Sequence, residues 1–412
     1  MGSRFWVETL GCPKNQVDSD KLVGVLEADG YAAADDPTDA DLLVINTCAF
    51  VEEARQESID TILAFSDRRA PGAKLVVTGC LAERYRDELA QALPEVDLVA
   101  PFGVPVTIGR KGERAVPSLD LLELPRPPAT APWAYVKVAE GCDRACGFCA
   151  IPSFRGPQRS RTAGSILAEV DALGAREIVL VAQDLARYGL DQGQGAKALV
   201  PLIAEVAERV ARVRLLYLYP SDLDDGLIDA VLATGVPYFD LSLQHVSRPL
   251  LRRMRRWGDG ERFRSTIASI RAKEPAATFR SNFIVGYPGE TEEDHDRLLA
   301  FVEDVQLDWC GFFAFSEEEG TLAATQDGAV APELMAERLR ELGELQDRIT
   351  ADRRADLVGS RVEVLVDEPG VGRTYREAPE IDGVVLVTDD LPVGEFVTVE
   401  ISASLGPDLV AT

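Results

Sequence analysis

The sequence predicts an α/β protein in three parts: an N-terminal doubly wound parallel sheet, a central incomplete parallel β/α barrel of six units, and a small C-terminal antiparallel β-barrel. Three observations predict it. Short apolar runs alternate with helical stretches up to about residue 103 and again after residue 132, which implies parallel strands joined by right-handed crossovers. A proline-rich stretch divides the two series. The last segment abandons helical patterning for short strands between Gly- and Pro-bearing turns. A chain of 412 residues with 46% apolar content can bury more than one core.

Residues 1–114 form the first expected domain. Its apolar runs at 5–10, 42–45 and 74–77 end in LGC, NTC and TGC, each followed by a helical stretch. In parallel sheets of this kind the functional edge lies beyond the carboxyl ends of the strands. Cys12, Cys48 and Cys80 each follow one strand, so all three belong on that edge. Taken singly, each reads as a buried inert thiol. Their shared edge makes them a candidate metal-ligand set.

Residues 115–132 carry Pro117, Pro125, Pro127, Pro128 and Pro132 and read as a linker. The second domain, 133–356, has apolar strand-like runs at 135–138, 178–182, 215–219, 239–243, 279–285 and 311–315. Helical stretches such as 165–173, 196–210 and 292–305 lie between them. Six such units predict an incomplete barrel whose chemistry sits at the carboxyl ends of its strands. The third domain, 357–412, has short strands at 362–366, 384–387 and 396–401 and carries 11 acids against 3 arginines.

The net charge of −26 comes from 69 acidic against 43 basic side chains and repels a phosphate backbone, so a basic partner is expected over nucleic acid. The arginine-rich stretch 252–256 reads as a solvated helix face paired with nearby acids, and no site is assigned to it. No run approaches the ~20 apolar residues of a membrane span. The first ten residues lack the basic start and apolar centre of a signal peptide, so no membrane association is expected and the cytoplasm is the expected compartment. Seven scattered cysteines do not make a disulfide framework in so long a chain; clustered thiols in a reducing compartment suggest metal.

The strongest motif is GCDRACGFC, where Cys142, Cys146 and Cys149 form CxxxCxxC directly after the first barrel strand. Three thiolates at this spacing bind three irons of a 4Fe-4S cluster and leave the fourth iron open to a chelating substrate. Zinc wants four ligands, and no fourth Cys or His lies nearby. Outside the triplets, Cys310 reads as a small buried hydrophobe. Of the two histidines, His295 is expected to be solvated in an acidic helix, and His245, at a strand end in LQH, to line the site. Two histidines give little scope for His-based acid–base catalysis.

CxxxCxxC with an aromatic residue before its last cysteine, here Phe148, resembles the radical S-adenosylmethionine superfamily. That resemblance implies a central domain of the radical SAM type in which the open iron holds S-adenosylmethionine, cleaved by an electron to a 5′-deoxyadenosyl radical. Further strand-end motifs fit cofactor binding in that superfamily: Gln183 and Asp184 in VAQD, Ser242 and Gln244 in LSLQH, and Gly286 in FIVGYPGE. Read alone, the glycine is a turn residue and the polar residues are strand-end caps. With the three upstream cysteines added, the whole chain is similar to the methylthiotransferases. That family implies a second 4Fe-4S cluster, held by Cys12, Cys48 and Cys80, that carries or delivers sulfur, and a TRAM-like C-terminal barrel.

The strings TLGCPKNQVDSD, NTCAFVEEARQESID, IPSFRGPQRSR and GRTYREAPEIDGVV resemble the branch acting on ribosomal protein S twelve. The tRNA-modifying branch has Gln and Met where Pro13 and Lys14 stand. Leu185, Ala186 and Ser242 depart from the branch pattern, which has small hydroxyl residues at the first two positions and proline at the third. The resemblance implies methylthiolation of the β-carbon of an aspartate, with two S-adenosylmethionine molecules consumed per product and a reduced flavodoxin or ferredoxin as electron donor. An unactivated C–H bond has no acidic proton, which is why radical initiation replaces a general base. Charge points the same way: an acidic barrel complements a basic ribosomal protein and repels tRNA. The alternatives are methylthiolation of a tRNA adenosine and, outside enzymes, a scaffold with structural clusters. Structural clusters take four protein ligands, and each group here offers three.

Overall fold

The computed structural model describes residues 3–106, 120–195 and 197–412. The 114/115 boundary and the start of the linker, Pro117 included, lie outside the described residues. The first sheet is built from β1 (Arg4–Thr9), β2 (Ala32–Ala33), β3 (Leu42–Thr47), β4 (Lys74–Gly79) and β5 (Leu98–Val99), all parallel in the order β2-β1-β3-β4-β5. Helices α1 (Pro13–Ala28), α2 (Glu52–Arg68) and α3 (Cys80–Ala92) connect them. Side chains on β3 alternate between two cores, because successive residues of a strand face opposite sides. Leu42 and Val44 pack with Leu22 and Leu26 of α1, whereas Leu43 and Ile45 pack with Ile62 and Leu81 of α2 and α3. The sheet is covered on both faces, as the near-continuous apolar run of β3 requires.

The central domain opens with β6 (Trp133–Lys137). A hairpin of β7 (Ala139–Glu140) and β8 (Arg159–Ser160) follows, enclosing the cysteine loop and the short helix α4 (Ile151–Arg155). Five more barrel strands follow: β9 (Glu177–Val181), β10 (Arg212–Leu215), β11 (Tyr238–Gln244), β12 (Thr278–Val285) and β13 (Trp309–Ala314). They form parallel sheets β6-β9-β10 and β11-β12-β13, joined by a parallel bridge between Leu218 and Leu241. The six-stranded open barrel is therefore present. Helices α5 (Ala163–Leu173), α6 (Leu199–Ala207), α7 (Asp225–Ala233), α8 (Arg248–Arg253), α9 (Gly260–Lys273) and α10 (Glu292–Val305) surround it. Val136, Leu180, Val213, Phe239 and Phe279 face these helices in the largest core. The opposite faces supply Tyr135, Val179, Val181, Leu216, Tyr238 and Trp309 to an inner core with Val17 of α1.

The third barrel strand lies earlier than the run at 215–219 predicts. Arg212 and Arg214 are buried strand residues, and their charges hide the strand from a hydropathy reading. The chain leaves the ladder after Leu215, and Tyr217 has a left-handed φ of 65°.

From the long helix α11 (Pro332–Ala355) the chain enters β14 (Arg361–Glu368), β15 (Val371–Arg373), β16 (Val385–Leu386), β17 (Phe396–Leu405) and β18 (Asp408–Ala411). These close into a barrel, β14-β15-β16-β18-β17, antiparallel except for the β16–β18 pair, around Val364, Val385, Ile401 and Leu409. α11 also corrects the expectation for His295. That residue is buried, and its Nε2 lies 2.9 Å from Glu341 of α11, because α11 covers the face of α10 that its acidic sequence suggested was solvated.

The segment from Arg373 to Asp382 forms the floor of the open barrel, at the amino ends of its strands. Arg373 pairs with Glu177 at 3.1 Å, Tyr135 donates to the carbonyl of Pro379 at 2.8 Å, and Arg214 to that of Tyr375 at 2.9 Å. Tyr238 donates to Asp382 at 2.6 Å, Arg280 pairs with the same carboxylate at 2.5 Å, and Trp309 donates to the Arg376 carbonyl at 2.8 Å. Every barrel strand thus contributes a contact; for β10 it is Arg214. Among the described residues no helix is long and apolar enough to cross a membrane.

Candidate iron–sulfur and cofactor site

Because β1, β3 and β4 are neighbours, the residues that follow them emerge side by side. Cys12 is the N-cap of α1, Cys48 follows β3 directly, and Cys80 opens α3. Pro13 at the first helical position starts α1 immediately after the cysteine. Two glycines permit this crowding. At Gly11, φ +93°, a Cβ would lie 2.9 Å from the Cys48 sulfur; at Gly79, φ +90°, it would lie 2.3 Å from Asn46 Oδ1. Asn15 ties the loops together by donating to the carbonyls of Leu10 at 2.9 Å and Thr47 at 3.0 Å. Burial, with Cys80 and Cys12 close by, pushes the Cys48 thiol up to about 12. Cys80 is also raised by burial, against the pull of Arg155. For Cys12 burial is outweighed by Lys14, Arg155 and two backbone N–H groups, and its pKa falls.

The second triad sits in the loop after β7. The Cys142 sulfur accepts from the Arg144 N–H at 3.4 Å, and the Cys146 sulfur accepts from Arg256 Nη1 at 3.5 Å. Burial holds Cys142 at about 11 and Cys149 at about 12, each raised further by a neighbouring thiol of the triad. A cavity of about 270 Å³ opens beside Cys146 and Cys149, with Arg144, Arg255, Glu319 and Thr321 in its wall.

The arginine-rich stretch at 252–256 divides: Arg252 is exposed on α8 and Arg253 pairs with Asp327 at 3.0 Å, as expected, but Arg255 and Arg256 need correction. Helix α8 ends at Arg253 and Arg255 has a left-handed φ of 53°, so the chain turns toward the cysteines where the sequence suggested a solvated helix face. Arg255 lines the cavity. Arg256 lies over the Tyr219 ring at 3.8 Å and donates to the carbonyl of Ser242 as well as to Cys146.

The sequence-predicted cofactor residues distribute around this edge. Asp184 accepts from Arg144 Nε at 2.5 Å, and Gln183 donates to Glu140 at 2.5 Å. Both keep a buried oxygen without a partner, Asp184 Oδ1 and Gln183 Oε1. Ser242 touches the triad through Arg256; Gln244 ends β11 with φ 68°. Gly286 follows β12 and donates its N–H to Glu290. Phe148 is half-buried against the main core. His245, expected to line the site, is instead fully buried: its Nδ1 accepts from Ser247 N at 3.0 Å. Burial, then His295 and Arg338, lower its pKa to about 3 against the opposing pull of Asp294. Cys310 packs on the main core, as a small hydrophobe does.

What the sequence did not reveal is the buried polar joint between the two triads. Arg155, the last residue of α4, donates to Cys80 Sγ at 3.0 Å, to Asn15 at 2.7 Å, to Asp18 at 3.1 Å and to Glu140 at 2.9 Å. Lys137 pairs with Asp18 and, at 2.6 Å, with Glu140. Burial opposes ionisation of Glu140, but Arg155 and Lys137 outweigh it and hold the carboxylate well below its usual range. On the far side of the barrel Arg55 and Arg84 both reach Glu318, at 2.5 and 2.6 Å. The cysteine edge of the first sheet is thereby clamped onto the carboxyl edge of the barrel. Arg155 lies within IPSFRGPQRSR, but nothing in that string announces a partner in the first domain.

Each triad holds thiols close enough to perturb one another, yet among the described residues no three His, Cys, Asp or Glu side chains converge on one ion-sized point. Three thiols in each triad match the three-cysteine ligand set of a 4Fe-4S cluster, in which each binds a different iron.

Family models match the three parts in turn: Uncharacterized protein family UPF0004 over residues 4–101, the Radical SAM superfamily over 136–302, and the TRAM domain over 358–412. Ribosomal protein uS12 methylthiotransferase RimO of Moorella thermoacetica is 46% identical, over 97% of this chain and 96% of its own. The chain belongs to the RimO family. The RimO of Cutibacterium acnes is 39% identical, over 98% of this chain and 96% of its own. The radical S-adenosylmethionine methyltransferase TsrM from Kitasatospora setae, solved with cobalamin and a [4Fe-4S] cluster, superposes with a TM-score of 0.51. That match covers 90% of this chain and 77% of TsrM at 15% identity, a likeness of fold alone. Membership of the RimO family makes the chain a radical SAM methylthiotransferase, a family whose cofactors are S-adenosylmethionine and two 4Fe-4S clusters.

Proposed function

We propose that Cys142, Cys146 and Cys149 hold the radical-generating cluster and that Cys12, Cys48 and Cys80 hold the second one. Between them they methylthiolate the β-carbon of an aspartate on ribosomal protein uS12, in the cytoplasm. The observation that carries this reading is the joint between the triads: the helix that follows Cys149 ends in Arg155, which touches Cys80. One substrate atom can then be served by both. When bound, the clusters and S-adenosylmethionine supply radical initiation, sulfur and the methyl group.

The protein's own part is positioning. Arg155 and Lys137 neutralise Asp18 and Glu140 and keep the gap at fixed width. Arg144, fixed by Asp184 and Asp222, and Arg256, stacked on Tyr219, brace the second triad from either side. Gln183, Asp184, Ser242, Gln244 and Gly286 line the cofactor side, with Phe148 behind the last cysteine. Abstraction of hydrogen from carbon asks for no general base, consistent with both histidines lying buried in the barrel wall. A flavodoxin or ferredoxin is the electron donor.

The test is anaerobic incubation of reconstituted protein with uS12, S-adenosylmethionine and a chemical reductant, followed by mass spectrometry, with tRNA as a parallel substrate. A methylthio group on one uS12 aspartate is expected. Modification of tRNA without uS12 would overturn the reading.

A further inference from the structure

We infer that Lys14 is the specificity-determining cation that receives the carboxylate of the substrate aspartate, in a niche shared with Tyr217; this rests on the uS12 reading above. Lys14 is the second residue of α1, and only 9% of its surface is exposed. Its Nζ lies 3.4 Å from the centre of the Tyr217 ring. Among the described residues it has no hydrogen-bond acceptor and no carboxylate within 4.0 Å. The carboxylate in its electrostatic field is Asp240, which lies beyond ion-pair range and spends one oxygen on the Tyr217 N–H at 2.9 Å; the Cys12 thiol is the other acidic group it acts on.

Lysines this buried are ordinarily paired. The other buried cations on this edge are: Lys137 and Arg155 share Asp18 and Glu140, and even half-buried Arg144 has Asp184 and Asp222. Lys14 alone of these four has no carboxylate partner: its ammonium rests on the Tyr217 ring, two residues from Cys12. The niche has two further marks of a binding site. Tyr217 holds a left-handed backbone at φ 65°, a conformation that costs an aromatic residue energy and concentrates at functional positions. The uncapped N-terminus of α1 adds partial positive charge beside Lys14.

The chemistry supplies the ligand. On the uS12 reading the reacting carbon is served by clusters on both triads, Lys14 stands two residues from Cys12 of the first, and the aspartate carboxylate is one bond from that carbon. Buried there without a cation, the carboxylate would lose its hydration with nothing to replace it. Lys14 supplies that replacement, and an asparagine at the same place would gain nothing from it.

The test is anisotropy binding of the full-length, anaerobically reconstituted protein to labelled uS12 loop peptides carrying Asp or Asn at the target. Wild type should prefer Asp by about 10- to 100-fold, the range of one charge-assisted hydrogen bond. Compared at equal iron content, Lys14→Met should abolish the preference and Lys14→Arg should retain it. Lys14→Gln repeats the comparison should methionine disturb iron loading. A preference that survives both neutral variants overturns the inference alone. Wild type that neither binds the peptides nor modifies uS12 overturns the substrate reading, and this inference with it.

Discussion

Arg155 Nη2 lies 3.0 Å from the Cys80 sulfur, although Arg155 belongs to the helix that follows Cys149 of the other triad. Hydrogen bonds to cluster sulfurs stabilise the reduced state and raise the potential. Arg155→Lys keeps the charge but loses the planar fork, so the second cluster should shift to lower potential in an EPR-monitored redox titration. Arg155→Leu leaves Asp18 and Glu140 short of a partner and should cost about 3–5 kcal/mol in denaturant unfolding. An unshifted potential in the Lys variant would remove the tuning role.

Reconstituted wild type should bind about eight irons and about eight sulfides, and the triple Cys142, Cys146, Cys149→Ala variant about half. The first sheet positions its own cysteines through Asn15, Asn46 and Gly79, and the variant keeps Arg155, which reaches Cys80 from the barrel loop. Iron falling to zero in the variant would show that the first triad holds no cluster of its own.

Replacing Cys12, Cys48 and Cys80 with Ala should abolish methylthiolation while sparing slow cleavage of S-adenosylmethionine to 5′-deoxyadenosine, measured by chromatography. Both activities lost in folded protein would contradict the division of labour.

Glu177 is fully buried; burial raises its pKa, but Arg373, Arg214 and Arg212 outweigh that and bring it to about 2, from an ordinary 4.5. A depressed carboxylate stabilises the fold above its unfolded pKa and loses that contribution as pH falls through the folded one. Stability of wild type should therefore decline between about pH 4.5 and about pH 2. Glu177→Gln should show a shallower slope across that window and lower stability at neutral pH, where Arg373 and Arg214 lose their shared partner. Equal slopes would mean that other carboxylates govern the acid limb.

Deleting 357–412 should unfold or loosen the central barrel, seen as a lower melting temperature and loss of radical chemistry. The acidic domain therefore cannot be tested as a docking module by truncation. Seven of its eleven acids, Glu363, Glu368, Glu380, Asp389, Asp390, Glu395 and Glu400, are exposed and suited to a basic partner. Neutralising Glu368, Asp389, Asp390 and Glu400 together, none of which holds an ion pair among the described residues, should weaken uS12 binding at low salt and leave the melting temperature close to wild type. Salt dependence equal to wild type would exclude this face.

Local signals were legible in the sequence. Cysteines placed one residue or a few beyond a strand define an edge, and α10 runs over the span its apolar spacing predicts, opened by the capping box of Thr291 and Asp294. Partners distant in sequence were not legible. Arg155 finds Cys80, Arg373 finds Glu177, and His295 finds Glu341, and no period or spacing reports a contact between segments far apart in the chain. Arg212 and Arg214 hid a strand for the same reason: their counter-charges lie elsewhere in the chain.

Because the floor of the barrel comes from residues 373–382, synthesis order matters. All six barrel strands leave the ribosome before the segment that completes them. Until then Glu177 has lost one of its arginines and Arg280 its carboxylate, and the apolar inner face lacks Ala378. A nascent chain stalled in the last domain thus exposes the inside of the catalytic one. A premature stop codon there would hand the cell an open, aggregation-prone barrel and not merely a protein short of a C-terminal appendage.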